Sequence, residues 1–165
     1  MPRRFPVRVD ARSDAVAALL GENSLTARVM SGPSKLFGYN QMWNRPEILR
    51  AQMPSSNGVG DARSLARFYA ALNGDIDGVQ LLGAAQLARA CEPQSRGPDA
   101  VIFKETCFGL GYSLQPMVAP GAGPRSYGHP GAGGALAFGD PDAGIGFGYI
   151  TNTMQFDMNG DQRSP

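Results

Sequence analysis

Phe108-Gly109-Leu110-Gly111-Tyr112-Ser113-Leu114 and Ile145-Gly146-Phe147-Gly148-Tyr149 decide the fold. In both stretches the large side chains fall on every second residue, with glycine or serine between them. A period of two is the signature of a strand, whose successive side chains point to opposite faces. Glycine weakens a strand, so its regular use on one face points to another element lying close against that face. Between the two stretches, Tyr127 to Gly131 and Ala135 to Phe138 also read as extended. Asp140-Pro141-Asp142-Ala143-Gly144 has the makeup of a hairpin loop. Its aspartates bond their own backbone, proline fixes φ, and glycine supplies a positive φ. An antiparallel sheet of about three strands follows.

Upstream of residue 105 the period is 3.6 rather than 2. Leu65, Phe68, Tyr69 and Leu72 recur at i, i+3, i+4 and i+7, which predicts a helix from about Asp61 to Asn73. Asp61 is its cap, and Asn73-Gly74 is read as a left-handed stop. A shorter helix is predicted over Ala84 to Cys91, with Ala84, Leu87, Ala88 and Cys91 inward and Pro93 ending it. Residues 1 to about 55 read as irregular, apart from a short helical candidate at Asp14 to Leu20 and a long loop from Ser31 to Pro54. Helices first and strands after make the fold class α+β.

Composition narrows the function. The chain has 165 residues, the size of one ordinary domain. It holds 22 glycines and 13 prolines, about a fifth of the chain, without a short repeat, so it is turn-rich rather than fibrous. Fifteen basic against 14 acidic residues argues against nucleic acid as a partner; Arg3, Arg4, Arg8 and Arg12 form the one basic run, read as a solvated terminus. No stretch approaches a membrane span, and no apolar segment follows Arg3-Arg4 as an export signal requires. Cys91 and Cys107 are too few for a disulfide framework and, with one histidine, for a zinc site. A reducing, cytoplasmic setting, no metal and no cofactor are the expectations.

Tyr127-Gly128-His129-Pro130-Gly131-Ala132-Gly133-Gly134 carries the chemistry. It holds the only histidine within a run of glycines that leaves the backbone bare. Bare backbone N–H groups beside a ring that titrates near neutrality suit a developing oxyanion. The same pattern also fits a strand entering a tight bend with a satisfied histidine, and spacing alone leaves both open. A phosphate cradle fails, because neither Lys35 nor Lys104 sits in a G-x-x-x-x-G-K-[ST] context. Ser126 and His129 are three apart, on opposite strand faces, and cannot form a nucleophile–base pair without a bend. Tyr127, His129 and Gly131 share a face and can line a pocket. Asp140 with Asp142, and Asp75 with Asp77, read as turn formers. Trp43, Phe37 and Tyr39 stand in the long loop, where they can anchor it to the core.

Three blocks together resemble the C-terminal part of the serine β-lactamase-related hydrolases, particularly their esterase-like branch. They are Pro54 to Tyr69, an asparagine–glycine turn entering a helix; Phe108 to Tyr112; and Tyr127 to Gly134, ending in Gly148-Tyr149-Ile150-Thr151-Asn152. The resemblance spans roughly 24 to 160 but only the family's last two fifths. It implies part of the β-lactamase/DD-peptidase fold over residues 24–165, preceded by an irregular arm with a short helix at 1–23. His129-Pro130-Gly131 stands where penicillin-recognising enzymes have K-T-G. By that match Ala132 supplies an oxyanion-hole N–H, His129 lines the pocket and tunes its charge, and Tyr127, Gly131 and Asn57 bind substrate. Proline in place of the threonine removes a hydroxyl and an N–H, which favours esters over β-lactams.

The family's nucleophile motif, S-x-x-K, is absent: Gly32 precedes Lys35 by three residues and Val101 precedes Lys104 by three. Ser55-Ser56-Asn57 mimics S-x-N but reads as a turn and cap. The expectation is the C-terminal portion of a serine hydrolase that acts on a small ester or amide once completed by its N-terminal part, and is inactive alone. The alternative is a non-catalytic fragment or pseudoenzyme module that pairs with another chain or segment. Either way, the sheet left uncovered by the family's missing elements invites self-association.

Overall fold

The structure, a computed structural model, describes residues 20–21, 23–32, 42–131 and 133–153. The helical candidate at Asp14 to Leu20 lies almost wholly outside them. Four α-helices are described, α1 (Leu25–Ser31), α2 (Pro46–Arg50), α3 (Ala62–Asn73) and α4 (Ala84–Ala90), with a 3-10 turn at Met42–Asn44 before α2. Six strands follow: β1 (Ser95–Pro98), β2 (Glu105–Phe108), β3 (Ser113–Leu114), β4 (Tyr127–Pro130), β5 (Leu136–Asp140) and β6 (Ile145–Tyr149). They form one antiparallel sheet in chain order, a meander. The α+β class stands. Among the described residues the sheet has six strands, not three.

The packing of α3 on the sheet explains the glycines of β6. A Cβ on Gly146 would overlap Ala66 and Ala70 of α3, and one on Gly148 would overlap Ala62 and Ala66. Helix backbone therefore lies directly against strand backbone there. Asp61 caps α3, its Oδ1 accepting from Ser64 N–H at 2.8 Å. That hydrogen bond holds the Asp61 carboxyl below its usual range. The helix end differs from expectation: Gly74 has φ 178°, extended rather than left-handed, and its N–H reaches back to Ala70 O.

Phe108 to Leu114 is not one strand. Gly109 N–H bonds Tyr112 O at 2.9 Å, and Gly111 turns with φ +86°, so the chain reverses between β2 and β3. Glycine at alternate positions served a tight turn here, and a period of two cannot tell the cases apart. Gly109 also answers to packing, because a Cβ would overlap Ala90 O at the end of α4. In α4 itself Leu87 is buried and Cys91 half-buried, while Ala84 and Ala88 are exposed, so its inward stripe is narrower than expected.

The core lies between α3, α4 and the sheet: Tyr69, Leu72, Leu87, Cys107, Leu114, Tyr127 and Ala137. A second cluster of Val118, Ala119 and Leu136 draws in Phe138, Phe147 and Tyr149. The β5–β6 loop behaves as its composition predicts. Asp140 Oδ1 accepts from Asp142 and Ala143 N–H, Oδ2 from Gly123 N–H, and Gly144 has φ +67°. Asp75 likewise accepts from Gly78 N–H in a turn. The region before residue 55 is less irregular than expected. In α1, Ser24 is the N-cap and Thr26 Oγ1 donates to Val101 O at 2.6 Å, tying the helix to the loop before β2.

Candidate functional site

Strand β4 has two unlike halves. Tyr127 is 0% exposed, and its hydroxyl donates to Asn73 Oδ1 at 2.7 Å. Its ring meets Tyr112 at 5.0 Å and Tyr69 at 6.0 Å. Asn73 in turn donates from Nδ2 to Ile145 O at 2.9 Å, so one amide at the end of α3 joins β4 to β6. Gly139 on β5 makes room for this clasp: a Cβ would stand 2.7 Å from the Tyr127 hydroxyl. The strand face that carries Tyr127 is thus a core wall at this residue, not the lining of an open pocket.

Two residues on, His129 is exposed. Its Nδ1 lies 2.7 Å from Pro130 O, and its ring stacks on Phe108 with centroids 6.5 Å apart and 27° between planes. Gly131 N–H donates to Ala135 O at 2.6 Å, and Gly134 N–H to Gly131 O at 3.1 Å, closing the turn into β5. Gly134 has φ +96°. Thr151, beyond β6, donates its hydroxyl to Gly133 O at 3.1 Å and pins the same turn from the far strand. Ala132, the expected oxyanion-hole donor, lies outside the described residues.

Asn57 is engaged away from this strand end. Its Nδ2 donates to Ile48 O at 2.7 Å and Ala51 O at 2.6 Å, so its amide hydrogens close the α2 turn. Ser55 and Ser56 sit in that turn, as expected, with Ser56 N–H on Met53 O. Ser126 is buried while His129 is exposed, which keeps the two apart as their odd spacing requires. Reasoning from spacing missed Asn73 and Phe108. Asn73 was visible only as a helix stop, because its partners lie 54 and 72 residues away.

Tyr69, Cys91, Tyr112 and Tyr127, in and around the core, are poor nucleophiles and bases. Burial pushes the Tyr69 hydroxyl up to about 12 and the Cys91 thiol up to about 11. Burial also raises Tyr127 and Tyr112 above the ordinary tyrosine value. A thiolate or tyrosinate is the reactive form, so these shifts work against covalent or base chemistry. Among the described residues no group of three or more histidine, cysteine or acidic side chains is placed to hold a metal ion. No helix among them is long and apolar enough to cross a membrane.

Comparison with known proteins places this geometry in a family. The chain is 35% identical over 113 residues to the esterase/beta-lactamase LipL of Mycobacterium tuberculosis H37Rv, covering 65% of this chain and 25% of LipL. Among solved structures it resembles a family VIII carboxylesterase (28% identity, TM-score 0.66, 91% of this chain and 38% of that one). EstA of Arthrobacter nitroguajacolicus Rue61a aligns at 30% identity and TM-score 0.63, over 70% of this chain and 32% of EstA. A penicillin-binding protein homologue from Caulobacter crescentus aligns at 27% and 0.60, over 93% and 38%. The chain therefore spans a quarter of the curated relative's length and about a third of each solved structure. The family model described as Beta-lactamase matches residues 7–164. Nearly every residue being inside that match, the chain belongs to the beta-lactamase family, on its esterase-like side.

Proposed function

We propose that this chain supplies the oxyanion strand and adjoining loops of an esterase-like serine hydrolase, in which serine, lysine and tyrosine come from a segment outside the sequence given. The observation that carries the reading is the exposed end of β4, where His129-Pro130-Gly131 runs into a glycine turn pinned by Ala135 and Thr151. In acyl transfer the serine attacks the ester carbonyl, an acyl-enzyme forms as the alcohol leaves, and water releases the acid. This chain's part is to wall the site with His129 and Gly131 and to offer the N–H of Ala132 to the oxyanion. Tyr127 supports the strand from beneath, and Asn57 orders the loop before α3. Domain limits of 1–23 for an arm and 24–165 for the partial catalytic domain go with this reading. So does a reducing cytoplasmic setting, supported by the free thiols of Cys91 and Cys107.

The absence of S-x-x-K from the sequence makes a plain test available. Purified chain is expected to hydrolyse p-nitrophenyl butyrate no faster than buffer. Turnover above background that survives repurification overturns the assignment.

A second reading, a non-catalytic fragment or pseudoenzyme module that pairs with another chain or segment, is favoured by one feature. Strand β6 ends the sheet with no further strand beside it among the described residues, and Ile145 on it is 48% exposed. An unpaired edge with exposed apolar residues templates association. Light scattering that shows a concentration-dependent dimer supports this reading, and a monomer at all concentrations removes it.

A further inference from the structure

The contact between His129 Nδ1 and Pro130 O, at 2.7 Å, fixes where the ring proton is. A carbonyl oxygen has lone pairs and no hydrogen, so a contact this short needs N–H on the histidine side. In the neutral ring Nε2 is then a bare lone pair. No partner for Nε2 is found among the described residues, and the side chain is exposed. The ring is held from a second direction by Phe108. Phe108 ends β2 and pairs with Ser113, which pairs with Gly128, the neighbour of His129. Sheet register, rather than a loop, thus delivers the Phe108 ring to the histidine.

We propose that His129 is held as its Nδ1–H tautomer with Phe108 as the positioning residue, so that neutral His129 offers Nε2 as an acceptor to an O–H or N–H group of the substrate. This role rests on the hydrolase reading above; because the leaving oxygen of an ester carries no hydrogen, the donor is a hydroxyl or N–H elsewhere on the substrate. It has a specificity consequence. A lysine at this position is a cation with three donors and no acceptor, suited to a substrate carboxylate. A lone pair on Nε2 favours the opposite partner, a neutral donor.

The chain has one histidine, so a single imidazole reports in long-range 1H–15N correlation spectra of the 15N-labelled chain. With the ring neutral, wild type is expected to show a protonated-type shift at Nδ1 and an unprotonated-type shift at Nε2. Phe108→Leu is expected to draw the two shifts toward each other as the tautomers mix, and Phe108→Tyr to restore the wild-type pair. Nε2–H in wild type overturns the proposal, as do unchanged shifts in Phe108→Leu. If Phe108→Leu does not fold, wild type and Phe108→Tyr still decide: loss of the tautomer preference in Phe108→Tyr counts against stacking. These spectra need no turnover. An Nε2–H wild type leaves the hydrolase reading standing, whereas turnover by the chain alone removes that reading without touching the spectra.

Discussion

Tyr127 and His129 are two residues apart on one strand, yet they live in different environments. Tyr127 is sealed under α3 with its hydroxyl bonded to Asn73, while His129 stands exposed and, among the described residues, meets a neighbouring carbonyl and the Phe108 ring. The difference shows how a sheet can carry a site: one half of a strand is fixed by core packing, and its rigidity positions an open half that the core does not need. Glycine marks both halves for unlike reasons. In β6 it admits helix backbone; after β4 it shapes a turn.

The largest effect is expected where the fixed half is attacked. Gly148→Val places carbon where Ala62 and Ala66 already are, and overpacking of this kind costs about 3 kcal/mol or more. A urea midpoint near that of wild type would break the comparison, because β6 would not then depend on bare backbone. Tyr127→Phe is milder. It removes the hydroxyl, leaves Asn73 Oδ1 without its donor, and should cost about 1–2 kcal/mol by urea denaturation, with the His129 imidazole shifts unmoved. Movement of those shifts would show that the two halves are coupled.

A smaller loss is expected from Asp140→Asn, and it depends on pH. Burial raises the Asp140 carboxyl, but the N–H groups of Ala143, Gly123 and Asp142 outweigh it and hold the group below its ordinary 3.8. A carboxyl depressed on folding contributes stability that is full above 3.8 and is lost as pH falls through the folded value. Wild type and Asp140→Asn should therefore differ at pH 7 and converge on acidification below pH 3.8, read from urea midpoints; a constant gap contradicts the hydrogen-bonded carboxylate. Smallest of all is Gly131→Ala on the open half. The new methyl meets Ala135 Cβ at 3.2 Å, which a small shift relieves, so stability should change by under about 1 kcal/mol.

What the sequence disclosed follows from how local each signal is. Helix α3 was legible because its stripe and its Asp61 cap lie within one short window. The β5–β6 hairpin was legible because Asp140 and Gly144 act on their own turn. Strand β1 was not, since Ser95-Arg96-Gly97-Pro98 is a polar edge with no alternation to read. Helix α1 escaped because it buries Thr26 and Ala27 while Leu25 and Val29 are exposed, the reverse of an apolar-stripe rule. At the site, His129 and Gly131 stood out through composition. The clasp of Asn73 on Tyr127 and the Phe108 stack did not, because register between distant strands creates them.

The proposed function is that of an exposed strand end from an acyl-transfer site whose nucleophile is supplied by another segment. Incubation of the purified chain with an alkyl fluorophosphonate, read by intact mass, tests it most directly. The account predicts an unchanged mass, with no serine activated by a neighbouring base. A stoichiometric single adduct on one serine would contradict it and would identify the nucleophile within this chain.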